Sequence, residues 1–211
     1  MRLYGAIIVA FFVALIAAPA SAQPVRIVAF GDSLLAGFGL RANESFPAQL
    51  EAALKKRGHD VQIANAGVSG DTTTGGLSRL DWSIQDGTEA VILVLGANDM
   101  LRGMDPELAR KNLDAMIRRL KERKIEVLLG GMRAAPNLGA DYAAKFDSMY
   151  AQLAKEHDVL IYPFFLDGVA GERELNLNDG IHPTPKGVNL IVERIMPSVE
   201  SLIERVKKRR G

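Results

Sequence analysis

Four short blocks of this sequence carry the groups that acyl transfer needs, and each follows a predicted strand. The blocks are Gly31-Asp32-Ser33-Leu34, Gly67, Gly96-Ala97-Asn98-Asp99 and Asp179-Gly180-Ile181-His182. A serine that passes its proton to a histidine oriented by an aspartate can attack a carbonyl carbon, while N–H donors hold the developing oxyanion. Each block alone is equally well explained by a turn or a helix cap. Their order and placement together indicate nucleophilic catalysis.

Ser33 is the candidate nucleophile because of its position after a strand. Gly31 permits a sharp turn, so Ser33 begins a short helix with its hydroxyl and N–H at the helix N-terminus. The alternative is an N-cap serine. Asp32 is interpreted as structural, bonding the backbone donors of the turn. The Gly67 N–H and the Asn98 amide are candidate oxyanion donors, the alternatives being a loop glycine and a capping asparagine.

The three histidines differ in their surroundings, and this selects the candidate base. His59 and His157 each follow a charged helix end, so both are expected to be exposed helix-terminal residues without a catalytic role. His182 lies in a loop with Asp179 three residues earlier, a spacing that lets the carboxylate accept a hydrogen bond from the imidazole. A turn that caps the last helix explains the same two residues equally well.

Short apolar segments alternate with amphipathic segments from residue 25 onward. The apolar segments predict five strands at residues 25–30, 61–65, 90–95, 126–130 and 159–162. The amphipathic segments predict helices at residues 45–56, 72–82, 106–123, 141–157 and 185 to about 206. This alternation favours an α/β fold: a five-stranded parallel sheet with helices on both faces, in three αβα layers. The candidate residues then meet at the carboxyl edge of the sheet, where such folds bind ligands.

Residues 1–22 have the features of a cleaved signal peptide. Arg2 precedes an apolar run that ends in the small-x-small pattern of residues 19–22. The run is shorter than the roughly 20 residues that span a bilayer, so we expect cleavage after Ala22 rather than an uncleaved anchor. Residues 23–211 would then form a single exported domain, periplasmic or secreted, with no integral membrane segment.

Charge and cysteine content exclude several classes of function. The chain carries 26 basic and 25 acidic residues, a balance that gives no electrostatic footprint for nucleic acid. The basic run at residues 207–210 is interpreted as the solvated end of the last helix, the alternative being a membrane-surface patch. The chain has no cysteine, which excludes disulfides, thiol catalysis and cysteine-bound zinc. We expect no metal and no cofactor; the oligomeric state stays open, with a monomer as the expectation.

The blocks resemble those of the SGNH (GDSL) hydrolase family. The similar runs are Phe30 to Leu34, Asn65 to Gly67, Leu95 to Asp99 and Asp179 to Pro183, and residues 98–103 are most like the exported thioesterase I, lysophospholipase and arylesterase group. The resemblance implies a flavodoxin-like fold, a Ser33 nucleophile, a His182 base and an Asp179 orienter. It also implies an oxyanion hole made by the Ser33 N–H, the Gly67 N–H and the Asn98 amide.

The expected reaction is hydrolysis of small acyl esters or acyl thioesters through an acyl-enzyme on Ser33. A carbohydrate O-acetyl esterase would use the same residues and is the alternative enzyme. The non-enzyme alternatives are a flavodoxin-like phosphate-binding protein and an inactive carbohydrate-binding relative. The first leaves Asp179 and His182 without a role and lacks the usual phosphate-loop glycines, while the intact set of catalytic residues disfavours the second.

Apolar residues in the loops of the carboxyl edge are candidates for binding the acyl group. The segment 130–139 follows the fourth predicted strand and therefore reaches the same edge as the catalytic residues. Each candidate is equally explicable as ordinary packing. The predicted substrate-binding residues are Met100, Leu101, Met132, Pro136, Leu138, Ile181 and Pro183.

Overall fold

A computed structural model describes residues 23–211, so the predicted leader lies outside the described residues. The strands are β1 (Val25–Gly31), β2 (Val61–Gly67), β3 (Ala90–Val94), β4 (Glu126–Gly130) and β5 (Leu160–Tyr162). The α-helices are α1 (Ser33–Ala36), α2 (Phe46–Lys56), α3 (Thr73–Ser83), α4 (Ala97–Leu101), α5 (Pro106–Glu122), α6 (Ala140–His157) and α7 (Pro185–Arg210). Short 3-10 turns occupy Ala42–Glu44, Pro136–Leu138 and Arg173–Leu175.

The five strands form one parallel sheet in the order β2-β1-β3-β4-β5. The chain passes from β1 to β2 on one side and then to β3 on the other, so the strand order reverses beside β1. The connections diverge at this point and leave a crevice at the carboxyl ends of β1 and β3. The fold thus opens its ligand site directly after Gly31, where the Ser33 block begins.

Helices cover both faces of the sheet and bury its central strands. Helices α2 and α7 pack together in one layer, and α3, α5 and α6 pack in the other. Strand β3 is buried along its whole length, as expected for a central strand with helices on both faces. This arrangement confirms the predicted three-layer α/β fold.

Side-chain caps mark the starts of the helices that flank the site. Asp32, Thr72, Asp105 and Thr184 each accept a backbone N–H in the first turn of α1, α3, α5 and α7. In α5 and α7 a proline follows the cap, at the position where its missing N–H costs no hydrogen bond. The caps therefore fix where these helices begin relative to the sheet edge.

The described strands and long helices begin and end within two residues of the predicted positions, except at the end of α7. This helix continues to Arg210, whose Nε donates to Glu89 Oε1 at 2.7 Å, in the segment before β3. Arg209 also lies 3.9 Å from Glu126. Residues 207–210 are all exposed, as a solvated end of the last helix predicts, although Arg209 and Arg210 also lie beside acidic side chains. Among the helices within residues 23–211, none has the length and apolarity needed to cross a bilayer.

Candidate active site

Ser33 is positioned by the tight turn that joins β1 to α1. A Cβ at Gly31 would lie 2.3 Å from the Val94 carbonyl oxygen, so only glycine fits at the end of β1. The Asp32 carboxylate accepts the Leu34 N–H at 3.0 Å and caps α1, as its structural interpretation predicts. Ser33 consequently stands at the first position of α1, facing the crevice at the carboxyl edge of the sheet.

Asp179 and His182 lie in the loop between β5 and α7. The Leu177 N–H donates to the His182 carbonyl at 2.7 Å and folds this loop back on itself. Asp179 Oδ1 accepts the N–H groups of Ile181 and His182 at 2.9 and 3.0 Å. The cap of α7 is Thr184 instead, so Asp179 shapes its own loop and does not cap the last helix.

Ser33, His182 and Asp179 form a continuous chain of hydrogen bonds. His182 Nε2 lies 2.9 Å from Ser33 Oγ, and His182 Nδ1 lies 2.8 Å from Asp179 Oδ2. Hydrogen bonds from the backbone N–H groups of His182 and Ile181, and from the imidazole, lower the pKa of Asp179 to about 2. An ionised carboxylate only accepts, so Nδ1 carries the proton and Nε2 accepts from the serine hydroxyl. This geometry can remove the Ser33 proton during attack on a carbonyl carbon.

The other two histidines are paired with carboxylates away from Ser33. His59 Nε2 lies 3.1 Å from Glu200 Oε1, and His157 Nε2 lies 2.7 Å from Asp114 Oδ1. Both imidazoles are partly buried, so the expectation that they are exposed was wrong. Contacts between helices cover them, which a position near a helix end does not reveal.

Asn98 lies in the first turn of α4, a five-residue helix that the sequence analysis does not predict. The buried Asp99 carboxylate accepts the Thr73 N–H at 2.9 Å and the Thr73 hydroxyl at 2.6 Å, which joins α4 to the start of α3. Asn98 Nδ2 donates one hydrogen to Asp32 Oδ2 at 3.3 Å. Within the described part of the protein, the Asn98 amide donates only to Asp32, and the Ser33 N–H makes no hydrogen bond. Both donors remain available to an oxyanion.

The structure does not make Gly67 available as an oxyanion donor. The Gly67 N–H donates to Asn65 Oδ1 at 2.9 Å, a local bond that asparagine commonly makes two residues ahead. A Cβ at Gly67 would lie 2.2 Å from the Ala36 nitrogen, so this glycine lets α1 pack closely on β2. The pattern Asn-x-Gly was the signal in the sequence that pointed to this bond.

Gly70, in the loop that follows β2, has a backbone N–H that is not used in a hydrogen bond within residues 23–211. The Gly70 carbonyl accepts Arg102 Nη2 at 2.8 Å, and Arg102 is the C-cap of α4. This bond ties the loop after β2 to the helix that carries Asn98.

Arg79 is a buried cation that holds the carboxyl ends of β1 and β2 together. Its guanidinium donates to the carbonyls of Gly31 and Ala66 at 2.8 and 2.9 Å, and to Asp71 Oδ2 at 2.7 Å. It also lies 4.0 Å from the centre of the Phe30 ring. Arg79 was not among the predicted site residues, although an arginine on the apolar face of a predicted helix was a visible signal.

Asp32 is the second carboxylate near the nucleophile, and its environment is opposite to that of Asp179. It is fully buried, and loss of hydration raises its pKa to about 6, against the opposing effects of the Leu34 N–H and the His182 charge. Asp179 is exposed and has the lowered pKa described above. The two aspartates of the site therefore differ in charge at mildly acidic pH.

A cavity of about 460 Å³ opens beside Ser33 and His182 and is lined mainly by apolar side chains. Five of the predicted substrate-binding residues line it: Met100, Leu101, Met132, Pro136 and Ile181. Leu138 and Pro183 are not among the lining residues. Leu138 packs against the core, and Pro183 is buried where it bridges to Asn176.

The segment after β5 contributes cavity residues that the sequence analysis did not include. Phe164, Leu166 and Ala170 line the wall, together with Asn176. They follow a strand of the same sheet, so the rule that selected segment 130–139 applied to them as well. Phe38 is a further omission, because its ring centre lies 4.3 Å from that of His182.

The sequence signature of the GDSL-like lipase/acylhydrolase family matches residues 29–190. The chain belongs to this family. This GDSL hydrolase is 38% identical over 175 residues to the arylesterase of Vibrio mimicus, covering 82% of this chain and 88% of the relative. It is 33% identical over 194 residues to thioesterase 1/protease 1/lysophospholipase L1 of Escherichia coli, covering 92% and 91%.

A solved structure extends the similarity of the GDSL hydrolase to three dimensions. The SGNH-hydrolase family esterase AlinE4 superposes with a TM-score of 0.73 at 46% identity, covering 86% of this chain and 98% of that chain. The predicted family resemblance is confirmed. The GDSL hydrolase is an enzyme that acts on ester bonds, and the two binding-protein alternatives were wrong.

Proposed function

We propose that this enzyme hydrolyses carboxylic esters and acyl thioesters through an acyl-enzyme on Ser33. His182 acts as the base and Asp179 orients it. The observation that carries the proposal is the unbroken hydrogen-bond chain from Asp179 through His182 to Ser33, at the wall of an apolar cavity. The names of the relatives, which include an arylesterase and a thioesterase, agree with this reaction.

Acylation begins when Ser33 Oγ attacks the carbonyl carbon and His182 Nε2 takes the hydroxyl proton. The imidazolium is held by the carboxylate of Asp179, which stays ionised because of its lowered pKa. Collapse of the tetrahedral intermediate breaks the bond to the leaving oxygen or sulfur, which takes the proton from Nε2. Water then attacks the acyl-enzyme by the same steps, with His182 again the base, and releases the acid and Ser33.

The oxyanion would be held by the Ser33 N–H, the Asn98 amide and the Gly70 N–H, the last in place of Gly67. Support for Gly70 comes from its uncommitted N–H and from the Arg102 bond that ties its loop to α4. Asn65→Ala releases the Gly67 N–H, so it distinguishes the two glycines. We expect kcat to stay within about twofold, because a preorganised oxyanion donor would change the rate far more. A rise in kcat of tenfold or more would indicate that the released Gly67 N–H acts as an oxyanion donor.

The acyl chain would lie in the apolar cavity beside Ser33. Met100, Met132 and Ile181 offer surface to a flexible chain, and each buried methylene stabilises binding by about 0.8 kcal/mol. An acetyl group would leave most of this surface unused, which favours longer acyl groups over acetylated carbohydrates. Rates on p-nitrophenyl esters from acetyl to decanoyl, beside an acetylated xylan, test this choice. A preference for the xylan would favour the carbohydrate esterase.

The leader and the domain organisation are part of the same proposal. Residues 1–22 would direct export and be removed, leaving one catalytic domain from residue 23 that works outside the cytoplasm. The support is the sequence pattern of the leader alone. The intact mass of the exported protein should correspond to a chain beginning at Gln23. A mass that retains residues 1–22 would indicate an anchored protein.

Covalent labelling tests the nucleophile directly. A fluorophosphonate should modify the wild type on the peptide that contains Ser33 and should leave Ser33→Ala unlabelled. Ser33→Ala should also abolish esterase activity without loss of stability, because removal of the hydroxyl leaves no cavity in the core. Activity above about a tenth of the wild type would refute the assignment, since the residual rate without a nucleophile is far lower.

A further inference from the structure

Phe38 is an exposed aromatic residue in contact with the candidate base. The ring centres of Phe38 and His182 are 4.3 Å apart, with the ring planes inclined by 33°. The Phe38 N–H donates to the Ser33 carbonyl at 3.2 Å, which ties this residue to the nucleophile as well. The residue nevertheless stays 49% exposed, so a large part of its side chain is open to a molecule bound at the site.

The backbone around Phe38 holds the ring in this place. Gly37 and Gly39 have φ angles of 83° and 73°, the left-handed region that glycine adopts without strain. A Cβ at Gly37 would lie 2.7 Å from Ser45, and one at Gly39 would lie 2.7 Å from Leu177. The turn is therefore packed between the start of α2 and the loop of His182. Phe38 stands between these two fixed points.

Phe38 lies outside the cavity that would receive the acyl chain. Ser33 and His182 both line that cavity, whereas Phe38 touches the imidazole without being one of the lining residues. The leaving oxygen must approach His182 Nε2 to take its proton. With the acyl chain in the cavity, the group attached to that oxygen extends past the imidazole to the open surface beside Phe38.

We propose that Phe38 is a specificity-determining residue that binds the leaving group and favours esters of aromatic alcohols. The inference rests on the proposed function, since it requires an acyl-enzyme on Ser33 with the acyl chain in the cavity. An aromatic leaving group would pack on the exposed part of the Phe38 ring, in the offset or edge-to-face arrangement that aromatic pairs prefer. An aliphatic leaving group of similar acidity gains less from this contact.

Benzyl and allyl esters of one acid test the proposal, because the two alcohols have similar acidity and only one carries a ring. The measured quantity is the ratio of kcat/KM for the benzyl ester to that for the allyl ester. We expect Phe38→Ala and Phe38→Leu to lower this ratio about fivefold, mostly through the benzyl ester, and Phe38→Tyr to retain it. Trp82→Ala is the matched control, since Trp82 is an exposed aromatic near the far end of α3.

Each outcome decides the question. A ratio that falls in the Ala and Leu variants, and stays unchanged in Phe38→Tyr and Trp82→Ala, supports leaving-group binding by the Phe38 ring. An unchanged ratio overturns it, as does an equal loss on both esters, which would mean that Phe38 only holds the imidazole. If the wild type hydrolyses neither ester and a fluorophosphonate does not label Ser33, the proposed function is refuted; if Ser33 is labelled but the benzyl ester is not hydrolysed, only the role of Phe38 is overturned. Phe38→Tyr and Phe38→Leu keep the test valid if the alanine variant fails to fold.

Discussion

Two histidine–aspartate pairs in this protein have similar local geometry. His182 Nδ1 lies 2.8 Å from Asp179 Oδ2, and His157 Nε2 lies 2.7 Å from Asp114 Oδ1. The two histidine side chains are 17% and 15% exposed, which leaves little difference in burial. Distance and exposure within the pair therefore do not identify the active site.

The difference lies in what surrounds each pair. The second nitrogen of His182 faces the Ser33 hydroxyl at the wall of a cavity. Around His157, Asp114 also accepts Arg118 at 2.9 Å, and the neighbouring Glu156 accepts Arg110 at 2.6 Å. The His157 pair belongs to an ion network that joins α5 to α6. A histidine–aspartate pair becomes a catalytic unit through a third group and space for a substrate.

The largest expected effect separates the two histidines. His182→Ala should lower kcat by about 10⁵-fold with little change in stability, since the base and the nucleophile act as a unit. His157→Ala should leave kcat unchanged and lower the free energy of unfolding by about 1 kcal/mol, through the lost contact between helices. Steady-state kinetics and urea denaturation measure both. A large loss of kcat in the His157 variant would remove the distinction.

Substitution of Asp179 and of Asp114 should distinguish the two pairs in the same way as the histidine variants, but with a smaller difference in kcat. Asp179→Ala should lower kcat by about 10³- to 10⁴-fold, less than His182→Ala, because Asp179 only orients the imidazole and supports its charge. Asp114→Ala is the matched control and should keep full activity. Kinetics at pH 7 compare the two variants. An Asp179 variant with wild-type kcat would show that the hydroxyl and imidazole alone suffice.

The Asn98 amide is a feature of the His182 site that the His157 pair lacks. Asn98→Ala should lower kcat by about 10²- to 10³-fold with little change in KM, because the amide would bind charge that appears only in the transition state. The separation of kcat from KM on one p-nitrophenyl ester is the measurement. An unchanged kcat with a raised KM would mean that Asn98 contacts the substrate ground state instead.

The smallest expected effect on catalysis is that of Asp32. This residue should instead change how the free energy of unfolding depends on pH. Burial raises its pKa from 3.8 to about 6, so as pH rises the unfolded chain ionises at this position before the folded one does. Stability should therefore fall as pH rises from about 4 to 6, by about 3 kcal/mol from this group. The contribution of Asp179 has the opposite sign and is lost only as pH falls towards 2.

Asp32→Asn removes this titration while it keeps an acceptor for the Leu34 N–H. As pH rises from 4 to 6, the free energy of unfolding of the variant should therefore increase relative to that of the wild type. Urea denaturation at intervals of one pH unit measures it. Parallel stability curves for the two proteins would show that Asp32 does not titrate in this range.

The place where the candidate catalytic residues meet was predictable because it depends on strand ends. Ser33 and Asn98 follow neighbouring strands, and the Asp179 and His182 loop follows the last strand, so parallel topology alone brings them to one edge. The expected role of Gly67 depends instead on a local contact. A glycine after a strand can donate its N–H to a ligand, but here the nearby Asn65 side chain takes that hydrogen first.

The sequence alone is enough to predict the alternation of strands and helices, the helix starts at Pro106 and Pro185, and the sheet edge at which the candidate site lies. These features follow from local patterns of apolar residues, caps and prolines. Three features became visible only in the fold: Leu138 packs against the core, Arg79 joins two strand ends, and the Phe38 ring contacts His182. Those contacts join side chains to segments distant in sequence. Packing between elements selects the partners, and a local pattern such as an arginine on an apolar helix face does not specify them.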